Sequence, residues 1–141
     1  MKGIFILGFH QKPGAFIDRE YPDGITSQLE IDGTQQNKIH SLHKMRSTSP
    51  NYLFVKAKGV QIASYYSGYD KSSAIGIPNT TVSLILDESE NPTLWEDQLE
   101  DLIKQVLPKL KEIRGDEVIT EGLQKNKKYK KFDAYLGKKL K

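Results

Sequence analysis

The sequence predicts an α+β protein: a five-stranded antiparallel sheet with one helix on one face and one or two on the other. Three observations predict it. The opening segment, Met1 to Pro22, reads as a β-hairpin, because an apolar run meets a Lys12-Pro13-Gly14 turn and is followed by alternation from Ala15 to Glu20. Three further β-rich runs follow a central polar region. A long amphipathic segment, Thr93 to Ile113, then supplies a helix with one continuous apolar stripe.

In the first strand, Ile4 to Phe9 is apolar except for Gly8. A strand apolar on both sides is expected at the centre of a sheet, covered on both faces and paired at both edges. The second strand ends at Tyr21-Pro22. Asp23-Gly24 opens an irregular or partly helical connection with sparse apolar anchors at Ile25, Leu29 and Ile31. A helix is expected from Asp32-Gly33-Thr34, where Asp32 or Thr34 can cap free backbone N–H groups. Ile39, Leu42, His43 and Arg46 share helical spacing, Met45 adds an apolar flank, and Ser47 to Pro50 ends the helix.

Tyr52–Ala57 and Val60–Tyr66 read as two strands about a Lys58-Gly59 turn, with Val60, Ile62 and Ser64 on one face and Gln61, Ala63 and Tyr65 on the other. After a loop from Ser67 to Gly76, Thr80–Leu86 is the last strand, rich in β-branched residues. It is expected beside the first. The long helix carries a Thr93-x-x-Glu96 capping-box pattern, and Trp95, Leu99, Leu102, Ile103, Val106, Leu107, Leu110 and Ile113 form its stripe. Trp95, Leu99, Leu102, Val106 and Leu110 are expected against the sheet. Acidic residues crowd its first half and lysines its second, the order that suits the helix dipole. Pro108 is expected to kink or tighten the last turn. Beyond Gly115, Val118, Ile119 and Leu123 suggest a short helix ending near Gly122, and Tyr129, Phe132, Tyr135, Leu136 and Leu140 an amphipathic basic helix.

At 141 residues the chain suits one domain, here residues 1–113, with a basic helical extension over 114–141. It has no cysteine, which removes disulfides, cysteine–zinc sites and thiol chemistry. The six-residue apolar core of Met1 to Phe9 is short for a secretory leader, and no run reaches the length of a spanning helix. Asn79-Thr80-Thr81 fits the glycosylation pattern but is expected to be idle without secretion. A cytoplasmic location, with contact to membranes only at the periphery, is the expectation. The net charge of +3 divides unevenly: eight lysines and Asp133 give residues 125–141 a charge of +7, leaving −4 for the first 124.

Among reactive groups, His40 and His43 stand three apart on one helix and would need another ligand to hold a metal. The expectation for them is a surface or packing role. His10 reads as a polar residue at a strand end. The carboxylates at 96, 97, 100 and 101 read as a solvated helix face, and no nucleophile elbow or phosphate-binding glycine loop occurs. No catalytic residue, metal ligand or cofactor-binding residue is assigned. Lys125, Lys127, Lys128, Lys130, Lys131, Lys138 and Lys139 are the candidates for contact with an anionic surface. The alternative for that segment is a terminal helix whose aromatic face packs on the domain. Tyr65, Tyr66 and Tyr69 are expected in sheet and loop packing, and the lack of arginine-rich flanks disfavours nucleic acid.

The element order is one that longin, roadblock and profilin-like sheets can all accommodate. Gly8-Phe9-His10, Lys12 and Gly14 in the turn, and Tyr21-Pro22 closing the second strand resemble the start of longin domains, those at the N-terminus of DENN-module proteins most of all. Gly76-Ile77-Pro78 through Leu86 echoes a late strand of the same domains. The resemblance implies the strand order 2-1-5-4-3 with the first helix between strands two and three, whereas a roadblock-type domain begins with a helix. It also implies a non-enzymatic interaction module of vesicle trafficking and small-GTPase regulation, offering a sheet edge or helix face to a GTPase, to another longin or roadblock-type domain, or to a second copy. The rest of a DENN module is not expected within these 141 residues, so nucleotide exchange by this chain alone is not the expectation. The competing expectations are a roadblock- or profilin-like adaptor and a membrane or nucleic-acid binder acting through its basic C-terminal helix.

Overall fold

The computed structural model describes residues 1–10, 14–70, 74–117, 134, 135, 137 and 138. Five antiparallel strands form one sheet: β1 (Gly3–His10), β2 (Gly14–Tyr21), β3 (Asn51–Ala57), β4 (Val60–Tyr66) and β5 (Thr81–Asp87). Their order is β2-β1-β5-β4-β3. Strand β1 is internal and lies beside β5, as its two apolar faces require. Ile4, Phe5, Ile6 and Leu7 have no solvent exposure. At roughly 1.5–3 kcal/mol for each such side chain, this strand is a large source of hydrophobic stabilisation.

Alternation divides the sheet into two cores. Phe5, Leu7, Val60, Ile62 and Ile85 face α2 (Gly33–Arg46), which brings Ile39, and the short α1 (Ile25–Gln28), which brings Ile25. Ile4, Ile6, Ala63, Val82 and Leu84 face α3 (Glu96–Glu117). The registers align one row across the α3 face: Tyr21, Ile4, Leu84, Ala63 and Phe54. Gly8 interrupts the apolar run for a reason visible here. A Cβ on it would lie 2.5 Å from the ring of Phe16, so only glycine lets that ring lie flat on the strand. The pairing of β1 and β2 slips between Ile6 and Leu7, leaving Asp18 as the extra residue of a bulge.

Asp32 caps α2, its side chain accepting from the Gln35 N–H at 3.1 Å. The capping box expected at Thr93 and Glu96 does not form. Asn91 takes that place: its Oδ1 accepts from the Thr93 N–H and hydroxyl, and a 3₁₀ turn, Pro92–Trp95, leads into α3. The proline at the start favours that tighter turn, since its ring fixes φ where the turn begins. The stripe also rotates from the expected one. Leu99, Ile103, Val106, Leu107 and Leu110 are fully buried, while Trp95 and Leu102 are only partly so. The helix continues through Pro108 to Glu117 rather than ending near Ile113. Burial of Val106, Leu107 and Leu110 outweighs the roughly 3 kcal/mol that an interior proline costs. Met45, expected on an apolar flank, is instead 82% exposed. No helix among the described residues is long and apolar enough to cross a membrane. The short helix expected near Val118–Gly122 lies outside the described residues.

Candidate interaction surface

Helix α2 places its two histidines against the sheet rather than in solvent. His43 is fully buried, with Nδ1 2.8 Å from Asn51 Oδ1 and Nε2 2.8 Å from Ser64 Oγ. The Asn51 amide NH₂ is directed at the backbone carbonyls of His43, Ser47 and Ser49, so its oxygen faces the ring and Nδ1 carries the imidazole proton. Nε2 then accepts from the Ser64 hydroxyl, which in turn accepts from Ser83 at 2.9 Å. Hydroxyl, imidazole and amide stand in the order of nucleophile, base and orienting group. Ser64, Ser83 and His43 are nevertheless closed to solvent. The chain of hydrogen bonds ties α2 to three adjacent strands, and no substrate reaches it in this structure. The sequence hinted at it only through two serines inside β-branched strands.

His40, one turn earlier, is 2% exposed and stacks on Phe9 with ring centroids 4.4 Å apart. Tyr66 meets its edge at 5.9 Å, and neither ring nitrogen has a hydrogen-bond partner among the described residues. Burial lowers His40 to about 4, with Lys44 adding to the shift. Burial also lowers His43 to about 4, against the Asn51 hydrogen bond and aided by the charges of His40 and Arg46. Both rings are therefore neutral near pH 7. The two histidines do not converge on a metal: among the described residues no group of three or more His, Asp or Glu side chains is placed to hold one.

The Lys44 ammonium lies between two rings, 5.4 Å from the centroid of Phe9 and 5.0 Å from that of Tyr69. It has no carboxylate partner among the described residues. Tyr69 is 56% exposed, so this end of the sheet presents an aromatic ring, a cation and the neighbouring Met45 to solvent. Tyr65 and Tyr66 are buried in the sheet as expected. His10 ends β1, and its side chain lies outside the described residues.

Of the seven lysines proposed for anionic contact, Lys138 is described and exposed, and the other six, Lys125, Lys127, Lys128, Lys130, Lys131 and Lys139, lie outside the described residues. Among the described residues the extension meets the body at Tyr135 and at Gly137. Tyr135 packs against the α3-side core, with Lys109 Nζ 4.8 Å over its ring. Gly137 is pressed on Tyr21, where a Cβ would lie 2.8 Å from Cζ and Oη. A cleft of about 170 Å³ opens on the flank of α3 between Leu84, Trp95, Asp101 and Leu102. That volume suits one side chain of a partner and falls below the usual range for small-molecule sites.

The fold and its surfaces thus define an α+β sandwich with an internal first strand, a closed polar network and an aromatic–cationic end. No family model, curated protein or solved structure matches the chain.

Proposed function

We propose that the chain is a non-enzymatic interaction module of longin type, whose body binds or regulates a small GTPase or another partner of the membrane-traffic machinery. One observation carries this reading. The strand order is β2-β1-β5-β4-β3 with α2 between β2 and β3, the arrangement the opening hairpin's resemblance implies, and the fold begins with a strand rather than a helix. The enclosure of Ser64 and His43 supports a binding role over a hydrolytic one. The partner surface is the sheet end formed by Lys44, Met45 and Tyr69, where exposed apolar and cationic groups adjoin.

The basic extension adjusts binding rather than carrying it. Tyr135 and Gly137 are engaged with the body, and lysines without arginine forks give weak, unspecific contacts. The test uses the full chain in three forms: unaltered, with Lys125, Lys127, Lys128, Lys130 and Lys131 changed to Gln, and with Lys44→Glu plus Tyr69→Asp. Binding is measured to a set of small GTPases, to duplex and single-stranded nucleic acid and to anionic vesicles at two salt concentrations. GTPase binding that survives the Gln changes and weakens at least tenfold in the Lys44/Tyr69 variant is expected. Vesicle or nucleic-acid binding that vanishes with the lysines and falls steeply with salt, with no GTPase bound, overturns the reading.

A further inference from the structure

Helix α2 runs out into a short segment of unpaired cations and hydroxyls. Residues 44–50 read Lys-Met-Arg-Ser-Thr-Ser-Pro, which places Arg46 three residues before Ser49 and Pro50 directly after it. Thr48 and Ser49 are exposed at a bend outside helix and strand. The backbone there is pinned. The Ser49 N–H donates to Ser47 Oγ at 3.0 Å, its carbonyl accepts from the Asn51 amide at 2.9 Å, and the Thr48 carbonyl accepts from the Tyr69 N–H at 2.8 Å. Pro50 lies on Gly68, where a Cβ would come 3.1 Å from its ring. The Ser49 hydroxyl, by contrast, has no hydrogen-bond partner among the described residues. Neither Lys44 nor Arg46 has a carboxylate partner among them.

We propose that Ser49 is a phosphorylation site, modified by a protein kinase that reads a basic residue three positions before the hydroxyl, proline directly after it, or both. Kinases select substrates by such patterns of charge. In the transfer, Ser49 Oγ bonds to the γ-phosphorus of a nucleoside triphosphate and the bond from that phosphorus to the bridging oxygen breaks. The diphosphate leaves, and the hydroxyl proton passes to the kinase's base. The neighbouring hydroxyls fit less well. Ser47 has Lys44 three before it, but it is half-buried, its oxygen already accepts, and no proline follows it. Thr48 has Met45 at the basic position and is followed by serine.

The surroundings suit the product. A phosphoserine carries a charge of about −1.5 to −2 at pH 7 and three acceptor oxygens. Three residues span at most about 10 Å, a gap that the Arg46 side chain and a phosphate on Ser49 can close between them. Lys44 comes to the same place through Tyr69, whose ring is 5.0 Å from the ammonium and whose N–H holds Thr48. The phosphate therefore cancels the charge of both cations and draws Lys44 from between the rings of Phe9 and Tyr69. That end of the sheet is the partner surface assigned above, so modification switches it off. This consequence rests on the GTPase reading, whereas the site itself rests on the segment.

The test gives the full chain ATP with a kinase selective for arginine at that spacing and, separately, with a proline-directed kinase. Sites are mapped by fragmentation mass spectrometry. Phosphate on Ser49 from at least one of them is expected, and Ser49→Ala should lower incorporation at least tenfold. In a second measurement, phosphoserine is placed at 49 during synthesis and titrated by phosphorus NMR. It should ionise below the value of about 6 for an unpaired phosphoserine and return to it when Lys44 and Arg46 are both changed to Gln. No phosphate from either kinase, phosphate on Ser47 or Thr48 in preference to Ser49, or a phosphoserine that ionises at about 6 with both cations present overturns the proposal. A GTPase that binds the unaltered chain should bind the phosphoserine form at least tenfold more weakly, and equal binding would overturn the switch. If no GTPase binds, the GTPase reading fails, and the first two measurements still decide the site.

Discussion

His43 and His40 sit one turn apart on α2 with opposite outcomes: among the described residues one ring has both nitrogens bonded, the other has neither. Their lowered pKa values set a pH dependence whose sign follows from linkage. The unfolded chain takes up protons on both rings near 6.5, while the folded chain resists until about 4. The unfolded state therefore binds more protons between those values, so stability is full above about 6.5 and falls as pH drops from there toward 4. The urea midpoint should stay level above neutrality and decline through that window. A midpoint that stays flat down to pH 4 would show that the rings are not buried neutral. His40→Phe should make the decline shallower and raise stability by about 1–2 kcal/mol, because two unpartnered nitrogens are removed and the stack on Phe9 is kept. The sequence places both histidines on a helix but cannot say which face they take. That depends on Asn51 and Ser64 arriving from β3 and β4 once the strands have folded back on the helix.

At the scale of elements, α3 shows how a stripe read from spacing differs from the stripe that packs. The apolar positions span about 140° of the helix circumference, wider than the arc that the sheet buries fully, so spacing alone admits more than one orientation. The sheet selects the one that buries Leu99, Ile103, Val106, Leu107 and Leu110 and leaves Leu102 at the rim of the cleft. Ile103→Ala should therefore cost about 2–5 kcal/mol, and Leu102→Ala under about 2 kcal/mol, as read from denaturant midpoints. Equal losses at the two positions would mean that α3 sits on the sheet in another rotation. The cap differs for a similar reason. Thr93 and Glu96 fit a capping box by spacing, but Pro92 favours a 3₁₀ turn and hands the role to Asn91. Tyr52 then donates to the Pro92 carbonyl, fixing that turn to β3.

For the whole molecule, the extension after α3 belongs in part to the body. Gly137 against Tyr21, and Tyr135 under Lys109, hold it to the same core face that α3 covers. Gly137→Ala should force the segment away from Tyr21 and cost about 1–3 kcal/mol. Trypsin should then cut between residues 125 and 141 faster than in the unaltered chain. Unchanged cleavage and unchanged stability would mean that the contact does not hold the extension.

The sequence by itself determined the class, the five strands and their approximate bounds, the internal place of β1 and its neighbour β5. Those follow from local periodicity and from one strand apolar on both sides, which only a covered, doubly paired position satisfies. It also determined the charge division and, through the absence of cysteine, the chemistry the chain cannot perform. Only the tertiary structure decided the rotation of α3, the burial of His40 and His43, and the hydrogen-bond chain from Asn51 to Ser83. Each of these joins residues far apart in the chain. Periodicity reports which face of an element is apolar, whereas the partners of that face depend on how the elements close on one another.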